Sequence, residues 1–312
     1  MRDKQRIVVV IPCYNEEQTI GKVVKDFKRV LPESEIYVMD NRSTDKSAEL
    51  AEMAGACVMW VGRKGKGSVV REIFRKIEAD IYVMIDGDDT YPTEVVCELV
   101  KPIADGAAEM VVGDRLSKGF YAAQNKRNFH NFGNLLVKKL VNFCFKSNLK
   151  DIMSGYRVFS KLFAKNIPIL SDGFEVETEM TIRCLDRKLG IVEIPVEYRD
   201  RPAGSFSKLN TIKDGFRVLK TIFVILKDYR PLFFFGSISL LLFIFGLISG
   251  TPVLLEFLKT RYVSHVPLSI LATGLMLTSG LSLACGFILD TLVAHERQRN
   301  EVDLLKTRRI KE

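Results

Sequence analysis

Residues 81–92 read IYVMIDGDDTYP, so five apolar or aromatic residues lead directly into three carboxylates, Asp86, Asp88 and Asp89. A short apolar run without polar alternation is typical of a strand buried on both faces of a parallel sheet. Neighbouring carboxylates repel one another, so their place at the end of such a strand requires a cause. The stretch therefore predicts a buried strand that leads into a functional site.

Similar apolar runs recur through the first 115 residues. Strands are predicted at residues 7–11, 36–39, 57–61, 81–85 and 110–112, with helices between them near 16–30, 43–54, 67–78 and 93–104. This alternation predicts an α/β fold with a doubly wound, mainly parallel sheet. Residues 120–165 are expected to be helical and basic, and 191–198 to form a further strand. In such sheets, ligands bind beyond the carboxyl ends of the strands.

Polar loops follow each of the first five predicted strands. Their sequences are PCYNEE (12–17), DNRSTD (40–45), GRKGKG (62–67), DGDDTYP (86–92) and GDR (113–115). The carboxyl ends of parallel strands meet at one edge of the sheet, so these loops should gather acids, amides, glycines and basic groups in one place. That grouping is a stronger signal than any single loop.

The acidic loop has the composition of a divalent cation site. If strand geometry persists, Asp86 and Asp88 point the same way, and Gly87 leaves room between them. Oxygen ligands favour Mg²⁺ or Mn²⁺, and magnesium commonly combines one or two carboxylates with substrate phosphate. Asp89 is expected to be an acid at the N-terminus of a helix whose first turn contains Pro92. The alternative is an exposed acidic turn without a ligand.

The C-terminal third has a different character. Residues 232–255 and 266–289 carry no charge, and each stretch has 24 residues, against the roughly 20 that a spanning helix needs. They predict a transmembrane hairpin, with buried helices of a soluble protein as the alternative. More Lys and Arg flank the hairpin than lie in its link, which places both termini in the cytosol. Residues 210–230 read as a basic amphipathic helix at the interface, or as an ordinary domain helix.

Composition narrows the class of partner. The formal net charge is +8, which favours an anionic partner, and six widely spaced cysteines suggest reduced thiols in the cytosol. Nucleic acid is disfavoured because the basic residues cluster beside the apolar segments. The predicted domains are residues 1–209, the juxtamembrane helix 210–230, the hairpin 231–290 and a basic tail, 291–312.

Taken together, the motifs resemble a known family. VVIPCYNEE (9–17), followed by DNRSTD, GKG, DGDD and GDR, is similar to family 2 glycosyltransferases of the GT-A fold. DIMSGYR (151–157), RPAGSFSKL (201–209) and the C-terminal hairpin resemble more closely the polyprenyl-phosphate glycosyltransferases, the group of dolichol-phosphate mannose synthase and its bacterial undecaprenyl-phosphate relatives. The resemblance implies a single inverting transfer of sugar from a nucleotide sugar to a polyprenyl phosphate at the cell inner or plasma membrane.

The resemblance also implies roles on the donor side. The positions that would hold nucleoside, diphosphate and metal are Pro12, Tyr14, Glu16, Asp40, Lys66, Asp86 and Asp88. Thr90 stands where relatives often have a glutamine, and is a weaker metal ligand candidate than the two aspartates. Asn41 and Arg42 depart from the two acids and a glycine of many relatives, which puts the base preference in doubt. The glycine-rich loop around Lys66 could instead be a bare turn.

For the acceptor, the resemblance implies that cationic side chains hold a lipid phosphate. The matching positions are Arg115, Arg127 and Asn131, while Arg201, Ser207 and Lys208 would close over the diphosphate. Glu175, Glu177 and Glu179 could bind sugar hydroxyls, or Glu177 could anchor basic loops; a solvated acidic face is the alternative. Ser154 and Arg157 are interpreted as structural.

The expected donor is a UDP-sugar, with GDP-mannose second, and relatives in the family can be tetramers. A processive polysaccharide synthase is a rival, but the only tryptophan is Trp60, so the Q-x-x-R-W motif of those enzymes is missing, and two spans are too few for a channel. A non-catalytic, membrane-anchored nucleotide-binding protein is the other rival. The intact acidic pair, Arg115 and Lys208 argue against it.

Overall fold

The computed structural model describes residues 5–117, 128–173, 175–199 and 211–309, and it describes the backbone alone at 128–132, 211–219, 304 and 307–309. The chain divides into two compact units, Met1–Val218 with Thr307–Glu312, and Leu219–Lys306. Each unit is described separately.

The first unit contains a sheet of seven strands. In chain order they are β1 (Ile7–Cys13), β2 (Glu35–Asp40), β3 (Cys57–Trp60), β4 (Ile81–Met84), β5 (Met110–Asp114), β6 (Arg157–Ser160) and β7 (Ile191–Pro195). Their order across the sheet is β3-β2-β1-β4-β6-β5-β7, and of these seven only β6 runs antiparallel to its neighbours. The predicted doubly wound, mainly parallel sheet is confirmed.

Helices follow most of the strands. They are α1 (Ile20–Val30), α2 (Ser47–Met53), α3 (Lys66–Lys76), α4 (Val96–Ala104), α5 (Asn128–Phe145), α6 (Lys161–Asn166) and α7 (Val176–Asp186). The central strands between them are buried on both faces: β4 is buried at all four positions. A continuous apolar core joins β1, β2 and β4 to α1 and α4, and it includes Phe27 and Leu99. The apolar runs lack polar alternation because these strands are covered on both faces, as the sequence predicted.

Three local predictions are wrong. Residues 120–165 are not helical throughout, because β6 and α6 follow the helix α5. The helix after the acidic loop begins at Val96, so Asp89 and Pro92 lie in the loop before it. Strand β4 ends at Met84, so strand alternation does not extend to Asp86 and Asp88. The chain turns here instead: Asp89 has a φ of 57°, and the Thr19 hydroxyl donates to the Gly87 carbonyl at 2.6 Å.

Most of the second unit consists of two long apolar helices. Helix α8 (Thr211–Tyr229) contains the boundary at Leu219 where this unit begins. Helices α9 (Pro231–Thr260) and α10 (Val266–Arg309) follow. Ser239 and Ser279 bond across α9 and α10 at 2.9–3.0 Å, and the Ser282 hydroxyl donates to the Phe235 carbonyl at 2.9 Å. Both helices are long and apolar enough to cross a membrane. Only 11% of the 18-residue apolar stretch in each helix is buried. The two helices form an antiparallel hairpin that could be transmembrane.

Candidate active site

The site lies where the strand order reverses, beyond the carboxyl ends of β1, β2 and β4. Asp40 ends β2 and is buried, and both of its carboxylate oxygens accept from the Ser43 amide at 3.3 Å. Pro12 and Tyr14 are half-buried at the end of β1. The Lys64 ammonium lies 4.8 Å from the centroid of the Tyr14 ring and donates to its hydroxyl at 3.3 Å. Such a crevice is where doubly wound sheets bind ligands.

Glu16 continues the same loop beside the acidic turn. Its backbone amide donates to the Ser47 hydroxyl at 2.7 Å, and its carbonyl accepts from the amides of Thr19 and Ile20. A Cβ atom on Gly87 would lie 3.8 Å from the Glu16 Cγ atom. The structure therefore brings the predicted nucleoside residue Glu16 next to the acidic loop.

Asn41 explains one departure from the family pattern. Its side-chain amide nitrogen donates to the carbonyls of Val61 and Arg63 at 3.2 and 2.8 Å, while its oxygen accepts from the Gly65 amide at 2.7 Å. A carboxylate could accept the last bond but could not donate the first two. The amide at this position therefore fastens the end of β2 to the loop after β3.

The glycine-rich loop is shaped by another part of the chain. A Cβ atom on Gly65 would lie 2.0 Å from the Asp172 carbonyl oxygen, and one on Gly67 would lie 2.1 Å from that of Ser171. Gly65 also has a φ of 121°. The Gly67 amide donates to the Asp172 carbonyl at 3.0 Å, and Arg63 pairs with the Asp172 carboxylate at 2.6 Å. The glycines therefore allow residues 171–172 to pack on the start of α3, so the loop is more than a bare turn.

Lys66 lies at the centre of this arrangement. Its ammonium nitrogen is 2.5 Å from Oδ1 of Asp86 and 2.6 Å from Oε1 of Glu177. Burial by itself would lower the pKa of Lys66, but the two carboxylates outweigh burial and raise it well above its usual value. Lys66 is therefore a charged ammonium between two acids. The predicted anchoring of a basic loop by Glu177 is a direct ion pair in the structure.

Glu177 and Asp86 differ in their surroundings. Glu177 is 4% exposed on α7, and its Oε2 atom has no hydrogen-bond partner among the described residues. Asp86 keeps 28% of its side chain exposed. A buried carboxylate with an unsatisfied oxygen is costly, so Glu177 depends on Lys66 for its stability.

Asp88 and Thr90 form a second, buried pair. The Thr90 hydroxyl donates to Oδ1 of Asp88 at 2.6 Å, and the Thr90 amide donates to the same atom at 3.3 Å. Thr90 therefore orients Asp88 through its hydroxyl. Asp89 instead pairs with the exposed ammonium of Lys22 at 2.6 Å. The three neighbouring carboxylates are thus separated into three environments, which answers how the chain tolerates their repulsion.

The donor set of the acidic loop fits a hard divalent cation. Asp86 and Asp88 supply only oxygen atoms, which suit Mg²⁺ or Mn²⁺. In the part of the chain that the structure describes, no group of three or more histidine, cysteine, aspartate or glutamate side chains is placed to hold a metal ion. Two carboxylates accord with magnesium, which fills the rest of its shell with water and substrate phosphate.

Arg115 occupies the end of the fifth strand. Its guanidinium forks onto the buried Asp151 carboxylate at 2.7 and 2.9 Å, and it lies 5.5 Å from the centroid of the Tyr198 ring. Burial would raise the pKa of Asp151, but Arg115 outweighs burial and holds that pKa below its usual value. Asp151 thus fixes the direction of the predicted acceptor residue Arg115.

The DIMSGYR segment (151–157) packs against Asp86 and Tyr91. A Cβ atom on Gly155 would lie 2.2 Å from Oδ2 of Asp86, so only glycine leaves room for that carboxylate. The Gly155 amide donates to the Tyr91 hydroxyl at 3.1 Å. Arg157 is fully buried and donates to the carbonyls of Ser154 and Ile152 at 2.8 Å. The structural role that the sequence indicated for Ser154 and Arg157 agrees with these contacts.

Several predicted site residues have no described side chain. Arg127, Arg201, Ser207 and Lys208 lie outside the described residues, and Asn131 lies on α5 where only the backbone is described. Conversely, reading the sequence for motifs alone gave Asp151 and Gly155 no role. Both residues lie in the DIMSGYR motif, which was the only sequence signal for them. The motif does not reveal that Asp151 contacts Arg115 or that Gly155 packs against Asp86.

Comparisons with known proteins agree with this geometry. Residues 8–167 match the family described as glycosyl transferase family 2. The chain is 32% identical to the glycosyltransferase AglJ of Haloferax volcanii over 302 residues, which are 96% of this chain and 98% of that protein. It is 30% identical to the dolichyl-phosphate hexose transferase of the same organism, over 72% of this chain and 95% of that one.

A similar fold occurs in a crystal structure of glucosyl-3-phosphoglycerate synthase from Mycobacterium tuberculosis, in complex with Mn²⁺, uridine diphosphate and glucosyl-3-phosphoglycerate. The TM-score is 0.57 at 22% identity, over 72% of this chain and 79% of that one. At this identity the likeness concerns the fold alone. With the family match and the relatives, it leads to one conclusion: this chain is a glycosyltransferase of family 2 with a GT-A fold.

Proposed function

We propose that this protein transfers a sugar from a nucleotide diphosphate sugar to a polyprenyl phosphate with the help of a divalent cation. The observation that carries the proposal is the acid pair Asp86 and Asp88 in the crevice beyond β1 and β4, with the Lys66 ammonium bonded to Asp86. Opposite charges placed side by side suit a ligand that contains both a cation and a diphosphate. The names of the dolichyl-phosphate relative above and of a polyprenol monophosphomannose synthase from Mycolicibacterium smegmatis support the acceptor class.

On the donor side, the proposal assigns distinct tasks to residues of this chain. Asp86 and Asp88 would hold Mn²⁺ or Mg²⁺, which takes up negative charge on the departing nucleoside diphosphate. Thr90 orients Asp88 and is proposed as a further ligand only in second place. Pro12, Tyr14, Glu16 and Asp40 would hold the nucleoside, and Lys66 would accompany the diphosphate. A UDP-sugar is favoured because the fold neighbour was crystallised with uridine diphosphate, and GDP-mannose is the second candidate.

On the acceptor side, the proposal needs no general base. A phosphate monoester is already anionic at neutral pH, whereas an alcohol has to be deprotonated before it attacks. The protein's task is then to hold the acceptor phosphate in line with the sugar. Arg115, which Asp151 fixes in direction, is proposed for this role together with Arg127 and Asn131, and Arg201, Ser207 and Lys208 are proposed to close the site.

The C-terminal unit is proposed to anchor the enzyme in the inner or plasma membrane. Support comes from the exposed apolar helices Pro231–Thr260 and Val266–Asp303, which are long and apolar enough to cross a bilayer. With both termini in the cytosol, residues 1–209 would work at the cytosolic face, 210–230 would lie at the interface, 231–290 would span the membrane and 291–312 would form the tail. A homo-oligomer, a tetramer by resemblance, stays a prediction.

The full chain in lipid nanodiscs allows a direct test. It is incubated with Mn²⁺, polyprenyl phosphate and one radiolabelled donor at a time: UDP-glucose, UDP-N-acetylglucosamine or GDP-mannose. We expect label to enter the organic phase with a UDP-sugar, and EDTA to prevent it. Phosphoglycerate in place of polyprenyl phosphate is the control for a water-soluble acceptor. Label that reaches phosphoglycerate alone, or no acceptor at all, would overturn the proposal.

A further inference from the structure

The contact between Lys66 and Asp86 raises a question of charge balance. Lys66 is 9% exposed in its side chain, and its ammonium bonds to Asp86 at 2.5 Å and to Glu177 at 2.6 Å. Asp86 is also one of the two carboxylates assigned to the divalent cation. Two cations cannot share one carboxylate oxygen at short range without strong repulsion. In this structure, therefore, Lys66 neutralises a carboxylate that the cation would need.

We propose that Lys66 is an internal counter-ion of Asp86, which a divalent cation displaces when it binds, and that Glu177 retains Lys66 in the site afterwards. The inference rests on the proposed function and names two positioning residues for it. It predicts that Lys66 opposes binding of the metal alone and favours binding of metal and diphosphate together, because the displaced ammonium then meets a new anion.

Glu177 has the features that a retaining group needs. It is buried on α7, away from the exposed rim where Asp86 keeps 28% of its side chain accessible. Its Oε1 atom bonds to Lys66, and its buried Oε2 atom has no partner in the described part of the chain. A carboxylate in this position strongly favours keeping an ammonium beside it, because its own desolvation would otherwise go unbalanced. Release of Asp86 by Lys66 thus costs less than complete removal of the ammonium from the site.

The packing around Lys66 limits its freedom to leave. Lys66 begins α3, and residues 171–172 close over that helix start against Gly65 and Gly67. Asp86 is confined on its other side, since its Oδ2 atom lies against Gly155. The two partners are therefore held together by the backbone around them, and the exchange is a small movement of the lysine side chain.

A charge-neutral double variant separates this inference from general electrostatics. Lys66→Met with Glu177→Gln removes one positive and one negative charge, so the net charge of the site is unchanged. If Lys66 occupies Asp86 directly, the affinity for Mn²⁺ without nucleotide should rise roughly 10-fold or more, the scale of one charge-assisted hydrogen bond. Binding of UDP in the presence of Mn²⁺ should weaken, because the ammonium for the diphosphate is lost.

The measurement uses the full chain in nanodiscs, with free Mn²⁺ counted from its electron paramagnetic resonance signal. Lys76→Met is the matched control, because Lys76 lies on the same helix α3 and pairs with Glu72 on the surface. It should change neither affinity. Thermal unfolding checks that each variant is folded, and Lys66→Gln with Glu177→Gln, which keeps hydrogen-bonding groups at both positions, replaces the first double variant if that one is unfolded.

The outcomes are distinguishable. Tighter Mn²⁺ binding together with weaker UDP binding supports the exchange. Unchanged or weaker Mn²⁺ binding in a folded double variant overturns it, even where the wild-type protein binds Mn²⁺ and UDP and transfers sugar. Failure of the wild-type protein to bind Mn²⁺ with UDP would overturn the proposed function itself.

Discussion

The two units of this chain treat polarity in opposite ways. The first buries charged side chains, among them Lys66, Asp88, Asp151, Arg157 and Glu177. The second exposes large apolar ones: Leu277 is 66% exposed on α10, and only 11% of each 18-residue apolar stretch is buried. An unbalanced buried charge and an apolar helix exposed to water are both unfavourable. The buried charges therefore need partners, and the exposed apolar helices suit a lipid environment.

The contrast shows where to look for function in each unit. A buried charge persists when another group balances it, so the partners of the buried charges outline the site. An exposed apolar helix persists in lipid, where no water has to order around it.

The largest expected effect is on catalysis. Asp88→Ala should lower sugar transfer by at least about 100-fold, because it removes one of the two carboxylates proposed to hold the cation that balances the charge of the diphosphate. Asp89→Asn is the control, since the adjacent Asp89 pairs with the exposed Lys22 and asparagine tolerates the φ of 57° at this position; it should stay within about twofold. Initial rates with saturating donor measure both. Equal losses in the two variants would refute the distinction between Asp88 and Asp89.

The next effect tests the apolar unit. Leu277→Arg should cost roughly 2.5–3.5 kcal/mol of membrane insertion free energy, because position 277 lies near the centre of the predicted span. Leu170→Arg is the matched control: Leu170 is 68% exposed, nearly the same as Leu277, but lies in the first unit. It should change stability by less than about 0.5 kcal/mol. A glycosylation-reporter assay of insertion measures the first, and thermal unfolding the second. Unimpaired insertion of the Leu277→Arg variant would contradict a bilayer around α10.

These contrasts also show how much the sequence could foretell. Strands β1 to β5 and the polar loops after them were predictable, because a short apolar run without alternation, bounded by polar loops, is typical of a buried parallel strand. Strand β6 was not, since a fully buried Arg157 stands at its first position, where a charge normally indicates the surface. Its guanidinium is satisfied by the backbone carbonyls of Ile152 and Ser154, a bonding pattern that no local sequence signal encodes.

Individual residues of the site were predictable from the sequence, but the contacts between them were not. Asp86, Asp88 and Lys66 were recognisable from their loops, but the bond from Lys66 to Glu177 joins α3 to α7, which are far apart in sequence. Helix α7 was not predicted: the acids at 175, 177 and 179 recur every second residue, which is not the spacing of one helix face. Tertiary contacts decide both features, and periodicity cannot report them.

A third effect, on the stability of the first unit, concerns the buried arginine. Arg157→Met should destabilise the first unit by about 2–4 kcal/mol, because it removes the guanidinium donors from two buried carbonyl groups, although the new side chain fits an apolar site. Arg75→Met, on the exposed face of α3, removes the same charge and should cost less than about 0.5 kcal/mol. Hydrogen exchange of β6 amides in the full chain measures the difference. Similar protection in both variants would show that burial of this charge stabilises nothing.

The smallest effect tests how closely the backbone confines a functional charge. Gly155→Ala places a methyl group where Oδ2 of Asp86 now lies, so the carboxylate has to turn away while Lys66 holds its other oxygen. We expect roughly 10-fold slower transfer, the scale of an outer residue that supports a metal ligand, with little change in unfolding temperature. Gly21→Ala on α1 is the control, because its new methyl group would meet nothing closer than 3.7 Å. If transfer by the Gly155 variant matched that of the Gly21 variant, Asp86 would have to be mobile, and the view that the surrounding backbone fixes its carboxylate would fail at one of the two residues proposed to hold the cation.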